Sequence, residues 1–376
     1  MNCRDLHIVS FNVPLPADYG GVIDVYYRLR ALAEAGVRVH LHCFDYGRGV
    51  VPELERHCAA VHYYRRDMSP LRMLGKRPFI VSSRDSRELR QRLMQDRHPI
   101  LLEGLHCCAV LEDEGLCEGR MVMVRAHNVE GEYYRRLAAS ERRWKKRLYL
   151  KLEARKIARY EPTLRRADAV LAVSEGERAT FEAMGCRKVV AMSSCHPYSE
   201  VVAQVGTGGY ALYHGALDVA ENARAAEWLI DNVASAVDCP LVLAGARPPG
   251  WLRQKVGAMS NVRLVADPSD AEMQQLIVEA QVCLLVTDQP TGLKLKLLNS
   301  LFAGRHCLVN SAMVAGTTLG GLCTVADGAG ELRKALVRLM RTPFSGEMLE
   351  GRRRALQPLT PAEAVKPIYI LLKKNI

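Results

Sequence analysis

Twice along the chain, short apolar runs of strand length alternate with amphipathic helical stretches, and this alternation constrains the fold more than any other feature. In the first half the runs are LHIVSFNV, VRVHLHCF, PILLEGL, MVMVRAH and ADAVLAVS; after residue 200 they are YALYHGAL, CPLVLAGA, NVRLVA, QVCLLVTD and HCLVNSA. Runs this short and this continuously apolar fit strands covered on both faces, and helices between them supply the cover, so each half predicts a parallel sheet flanked by helices. The stretch 22–35 places Val22, Val25, Tyr26, Leu29, Leu32 and Ala33 at helical spacing, and Gly36 supplies a stop. Helices are expected likewise at 222–236, with Asn222 as its cap, at 270–280 and at 293–303.

The stretch MSSCHPYSEVVAQVGTGG between the two series is rich in turn residues and reads as a linker. The fold class is therefore α/β, with two Rossmann-like domains facing across a cleft. The expected bounds are 1–198 for the N-terminal, acceptor-side domain, 210–355 for the donor-binding domain and 356–376 for a C-terminal helix, for which a return to the first domain is one option. In open sheets of this kind ligands gather beyond the carboxyl ends of the strands, so function is sought at Pro14–Gly21, His106, Ala126–Glu130, Ser174, His214–Leu217, Gly245–Pro249 and Asp288–Lys296.

Composition excludes several classes. With 49% hydrophobic and 25% charged residues and no apolar run near the ~18–20 residues of a spanning helix, the chain reads as soluble and cytoplasmic, with peripheral attachment to a membrane's inner face as an option. Twelve cysteines form no C-x-x-C pair and mostly lie in apolar runs, so they read as reduced core residues. Cys107 and Cys108 behind His106 are adjacent and diverge, which argues against a metal site.

The net charge of +11 is concentrated in 135–166, whereas 210–290 carries more acids than bases. Within 141–166, Trp144, Leu148, Leu152, Arg155 and Ala158 form a stripe at helical spacing beside many lysines and arginines. That pattern suits either an acidic membrane surface or an ordinary solvated helix. Nucleic acid is not expected as a partner, because no recognition module with interleaved aromatics is present.

The loops bear chemistry of their own. Gly20 and Gly21 follow a strand and open a helix, so backbone N–H groups there can approach a phosphate or a sugar; a plain tight turn explains them equally well. The segment TGLKLKLLNSLFAGRHCLVN, residues 291–310, sets Lys294 and Lys296 at the start of a helix, which suits an anion; an ordinary helix–strand unit with solvated lysines explains it equally well. His127 follows the strand MVMVRA, at the ligand end of the sheet, where it reads either as a sugar contact or as a satisfied structural histidine, and Glu130 either orients the site or caps the next helix.

Taken in order, Gly20–Gly21, AHNVEGEYY, ADAVLAVSEGE, YHGALDVAEN and GLKLKLLNSLFAG resemble the retaining glycosyltransferases of the GT-B fold, which transfer sugars from nucleotide-sugar donors. The resemblance spans most of the chain. It implies a hexosyltransferase acting on a nucleotide diphosphate sugar and a glycan or lipid-linked acceptor; no cofactor is expected, and no metal, because no D-x-D-like carboxylate pair sits at a strand end. The resemblance implies that His127 contacts the donor sugar, that Gly20, Gly21 and Gly215 lie at the donor phosphates, and that Thr291 and Asn299 stand at donor-contacting positions; Glu130 is a further catalytic candidate, and His214, Gly245, Gly292, Lys294 and Lys296 are further donor-binding candidates.

The sequence departs from the family at two places. Where the family often has an Arg in the first turn of the second domain and a Lys on the next helix, this chain has ALDVAEN, so Lys294 and Lys296 are expected to supply the charge. Where it has paired glutamates eight apart, this chain has Thr291 and Asn299, which retain hydrogen bonding but not a carboxylate's strength. An altered donor, a contact from Asp288, or a lost activity are the three readings of that exchange. A non-catalytic nucleotide-sugar-binding scaffold protein of polysaccharide assembly and a sugar-nucleotide epimerase on the same fold are the alternatives.

Overall fold

The computed structural model describes residues 5–141, 143–289 and 294–374. The chain forms two compact units, Met1–Cys195 together with Pro361–Ile376, and His196–Thr360.

The first unit is built on seven parallel strands: β1 (Asp5–Ser10), β2 (Arg38–Asp45), β3 (Ala60–Arg65), β4 (Ile100–Glu103), β5 (Val122–Ala126), β6 (Ala169–Ala172) and β7 (Val189–Ala191), in the order β3-β2-β1-β4-β5-β6-β7. β4, β5 and β6 are buried along their whole length, as strands covered on both faces must be. The helix Gly20–Glu34 returns from β1 to β2 and buries Val22, Val25, Leu29 and Leu32. It stops where Gly36 takes φ 81°, a left-handed conformation that favours glycine. There the amides of Gly36 and Val37 donate to the carbonyls of Ala33 and Leu32. Ala364, Val365, Ile368, Leu371 and Leu372, near the chain's end, belong to this unit's hydrophobic core.

The second unit has six parallel strands: β8 (Ala211–His214), β9 (Leu241–Gly245), β10 (Val262–Ala266), β11 (Val282–Leu285), β12 (His306–Val309) and β13 (Thr324–Val325), in the order β10-β9-β8-β11-β12-β13. Alternate strand residues feed two separate cores. Leu212, Val242, Cys283, Leu285 and Val309 pack with the helix Leu295–Ala303 on one face, and Tyr213, Leu243, Leu284 and Leu308 pack with the helices Ala220–Asn232 and Gly328–Met340 on the other. This is the three-layered arrangement that period-two burial in a parallel sheet requires.

Three sequence expectations change. The helix expected at 222–236 runs Ala220–Asn232, with Val219 at its cap, so Asn222 lies inside the first turn and its side chain serves another purpose. The helix expected to start at 293 starts at Leu295, with Lys294 as its cap residue. β3, β7 and β13 were not expected, and each is an edge or near-edge strand with few fully buried residues. Among the described residues no helix is long and apolar enough to cross a membrane, and every cysteine is free.

Candidate functional site

In each sheet the strand order reverses once, between β1 and β4 in the first unit and between β8 and β11 in the second. At such a point the neighbouring connections leave in opposite directions, opening a crevice beyond the strands' carboxyl ends. Both reversals are flanked by residues singled out from the sequence.

In the first unit, Phe11 follows β1, Gly104 follows β4 and His127 follows β5. Beneath them lies a buried charge network that the sequence reading missed. Arg28 lies 2.6 Å from Asp24 and 3.1 Å from Glu103, while Arg125 lies 3.1 Å from Asp24, and these four side chains are at most 2% exposed. Arg125 also donates to the carbonyl of Met192 at 2.6 Å, and Asp24 accepts from the Cys195 amide at 2.7 Å. Two carboxylates stand against two guanidiniums, so the four buried charges balance. Burial alone would raise the Asp24 carboxyl, but Arg28 and then Arg125 outweigh it and hold it well below the carboxylate range. Burial lowers Arg125, whereas Asp24 and Glu103 overcome burial at Arg28 and raise it.

His127 is clamped by this network. Its Nε2 lies 3.0 Å from Glu103 and its Nδ1 3.7 Å from Asp24, so both ring nitrogens face buried carboxylates. The imidazole does stand at the strand end, with its side chain 13% exposed, but its polar atoms point inward in this conformation. Nδ1 of His106, buried beside the Phe11 ring, has no hydrogen-bond partner among the described residues. Burial, and next Arg84, push His106 well below the usual imidazole range, so it is neutral. An unmade buried hydrogen bond costs about 1–3 kcal/mol, and this one sits at the topological reversal, where a ligand hydroxyl would complete it. A methyl on Gly104 would lie 2.8 Å from that Nδ1, and Gly104 has φ 72°, so the loop brings the backbone up to the imidazole by using glycine.

Gly20 and Gly21 open the helix Gly20–Glu34, whose N-terminus has no side-chain cap and no acid in its first turn. Its first amides are therefore available to an anion. A methyl on Gly21 would meet the Phe11 ring at 2.8 Å, so this glycine also makes room for Phe11.

Glu130 does not cap its helix, Glu130–Ser140, whose cap position is Val129. Burial pushes its carboxyl up to about 8; the Asn128 hydrogen bond counters this in part, and the nearby Glu161 and Glu177 add to it. Glu130 is thus a protonated acid at neutral pH, 4% exposed.

In the second unit, Lys296 lies in the first turn of the helix Leu295–Ala303. Its Nζ donates to the Asn222 amide oxygen at 3.0 Å and to the Tyr213 hydroxyl at 3.4 Å, and it stands 5.0 Å from the Tyr213 ring centroid. Burial pulls the ammonium down to about 8, opposed by Glu221, whose carboxylate is engaged by the Thr287 hydroxyl. No carboxylate lies within ion-pair distance of Lys296 among the described residues. A cation held by an amide, a phenol and a ring, beside the positive end of a helix, is suited to an anion that the protein itself does not provide. Asn299, one turn on, keeps its Oδ1 buried without a hydrogen-bond partner among the described residues.

His214 turns inward, where its Nε2 meets the Ser300 hydroxyl at 2.9 Å and burial brings it down to about 3. It is a neutral core imidazole. Gly245 is explained by packing, since a Cβ there would sit 1.8 Å from the Gly215 carbonyl oxygen. Gly215 and Gly245 thereby pack the β8 and β9 turns together. Lys294 is placed at the helix cap, and Thr291 and Gly292 lie outside the described residues.

A cavity of about 490 Å³ opens beyond β11 and β12 on the face that carries the helix Ala220–Asn232. Glu227, Asp231, Asp288 and Asp327 line it against a single Arg224, which disfavours a diphosphate there.

No family model matches the sequence. An uncharacterized 44.6 kDa protein in the cps region of Klebsiella pneumoniae is 26% identical over 332 residues, covering 83% of this chain and 82% of that protein. Sucrose-phosphate synthase from Thermosynechococcus elongatus superposes with a TM-score of 0.71 at 15% identity, covering 99% of this chain and all of that one. The lipopolysaccharide outer core galactosyltransferase WaaB gives 0.63 at 14% identity, over 99% and 100% of the two chains. Anabaena HepE, solved in complex with UDP-glucose, gives 0.65 at 13% identity, over 98% and 99%. The chain has the GT-B fold of these structures, two Rossmann-like units each with a parallel sheet.

Proposed function

We propose that the chain is a cytoplasmic glycosyltransferase that moves a hexose from a nucleotide diphosphate sugar to a hydroxyl of a growing glycan or lipid-linked acceptor, with retention and without a metal. The observation that carries this reading is the Lys296 ammonium, held at the β8–β11 reversal by neutral partners and beside a helix N-terminus. A leaving nucleoside diphosphate develops negative charge as the glycosidic bond breaks, and a pre-placed cation with helix amides stabilises that charge more than it stabilises the donor. The same groups make a metal unnecessary for this role. Asn299 Oδ1 is available to accept from a ribose hydroxyl, the contact a glutamate would otherwise make, and Thr291 is the companion residue for the sugar.

In the first unit, His106 Nδ1 and the amides of the Gly20–Glu34 helix N-terminus are the polar groups offered to sugar and phosphate oxygens. His127 acts as a positioning residue, fixed by Glu103 and Asp24. The carboxylates at this strand end are spent on Arg28, Arg125 and His127, so neither Asp24 nor Glu103 is placed to deprotonate an acceptor for inversion, which favours retention. Work on a glycan is supported by the relative in a cps region and by neighbours solved with UDP-glucose.

The test is release of nucleoside diphosphate from a panel of nucleotide sugars with and without candidate oligosaccharide acceptors. Acceptor-dependent release from one donor supports transfer. The second reading, a non-catalytic binder, draws on Thr291 and Asn299 standing where carboxylates are expected, and it predicts donor binding without release under any condition.

A further inference from the structure

The helix Trp144–Tyr160 in the first unit turns Leu150, Glu153, Ala154 and Ile157 inward. At about 100° per residue, Trp144, Leu148 and Leu152 fall on the opposite flank. They are 70%, 52% and 47% exposed. Seven lysines and arginines share this helix with a single acid, Glu153, which is buried. Lys145, Arg147, Lys151, Arg155 and Arg159 have no carboxylate within ion-pair distance among the described residues.

A second apolar element is fastened beside this flank. Lys156 Nζ donates to the Met73 carbonyl at 2.5 Å, and Glu153 accepts from the Phe79 amide at 2.7 Å, which ties the segment 71–79 to the helix. Lys156 projects next to Leu152 on the helical wheel, so the two apolar elements lie side by side. In that segment Leu71 is 76% exposed and Leu74 82%, the most exposed leucines of the described chain. Residues 65–77 carry five basic residues and one acid; Arg72 and Arg77 are ion-paired, while Arg65, Arg66 and Lys76 have no carboxylate within ion-pair distance among the described residues. Single exposed leucines are ordinary, but two adjoining apolar ridges rimmed largely by unpaired cations are not.

We infer that the Trp144–Leu148–Leu152 flank and the Leu71–Leu74 turn form one surface that docks the first unit on an anionic lipid bilayer. Charge decides the occupant: an apolar groove on another protein would leave most of these cations without counter-charges, whereas a sheet of lipid phosphates meets all of them while the leucines and Trp144 enter the acyl boundary. The inference stands apart from the transfer reaction and does not depend on the donor site.

The experiment is flotation of the full chain with vesicles of phosphatidylcholine alone and with about one third phosphatidylglycerol. Two double variants at exposed positions accompany it, L71S/L74S and K151E/R155E, with thermal melting as the folding control. The wild type is expected to float with the anionic vesicles and not with the neutral ones, and each variant to weaken binding by about tenfold or more while melting as the wild type does. Absence of flotation, equal flotation with both vesicles, binding that neither folded variant weakens, or displacement of the protein from vesicles by equimolar duplex RNA would each overturn it.

Discussion

The Lys296 ammonium lies 3.0 Å from the side-chain oxygen of Asn222, a residue expected from sequence to cap a helix and found instead holding a cation at the strand end. Since burial brings that ammonium down to about 8, its charge is within reach of mild alkali. A nucleoside diphosphate that needs the charge should bind best below that value and weaken as pH rises through it. Bound phosphate will move the step upward, because an anion favours the protonated form. Titration calorimetry from pH 7 to about 9.5 reads the step, and Lys296→Met should abolish it.

Arg28 is the hinge of the buried network in the first unit, touching both Asp24 and Glu103. Removing it leaves Glu103 without a guanidinium and Asp24 with Arg125 alone, and Arg28→Met is expected to cost about 3–5 kcal/mol in chemical denaturation. Replacing the half-buried Arg30 on the same helix, whose guanidinium lies over the Tyr27 ring, should change stability by no more than about 1 kcal/mol.

Glu130 gives a pH signature of its own. Its folded value, raised to about 8 from an ordinary 4.5, means that the unfolded chain releases the proton first as pH rises. Stability from this group is complete below about 4.5 and is lost progressively up to about 8, to an extent on the order of a few kcal/mol. Glu130→Gln keeps the neutral form at every pH. Melting temperatures of the variant should exceed those of the wild type at pH 8 and converge with them near pH 4.5.

Gly245 tests the packing of the β8 and β9 turns. A methyl group at 1.8 Å from the Gly215 oxygen forces the backbone apart, so Gly245→Ala should destabilise the chain by on the order of 3 kcal/mol and weaken nucleotide binding at the adjoining loop. Gly250→Ala meets nothing within 4 Å and is expected to be silent in the same melt.

Much of the fold was legible because continuous apolar runs and helical stripes report burial directly. β5 and β11, for example, are buried throughout and stand where MVMVRAH and QVCLLVTD suggested. β3 was not legible, since AVHYYR mixes polar and aromatic residues, as befits an edge strand. The surroundings of Lys296 were read in part: its charge is advertised by its helix position, but its partner Asn222 lies 74 residues away and only the tertiary fold unites them. The network of Asp24, Arg28, Glu103 and Arg125 was invisible because each charge, taken alone, suggests solvent rather than core. His127 and His214 marked the right strand ends, yet spacing does not reveal which way an imidazole turns.

The central claim is that Lys296 holds the diphosphate of a nucleotide sugar, and calorimetric titration of the wild type and of Lys296→Met with matched nucleoside diphosphates at pH 7 tests it most directly. The account predicts one site per chain in the wild type for one nucleoside diphosphate, and a loss of about ten- to a hundredfold in affinity in a variant that melts normally. Equal affinity in the two proteins, or no binding of any nucleoside diphosphate by the wild type, would contradict it.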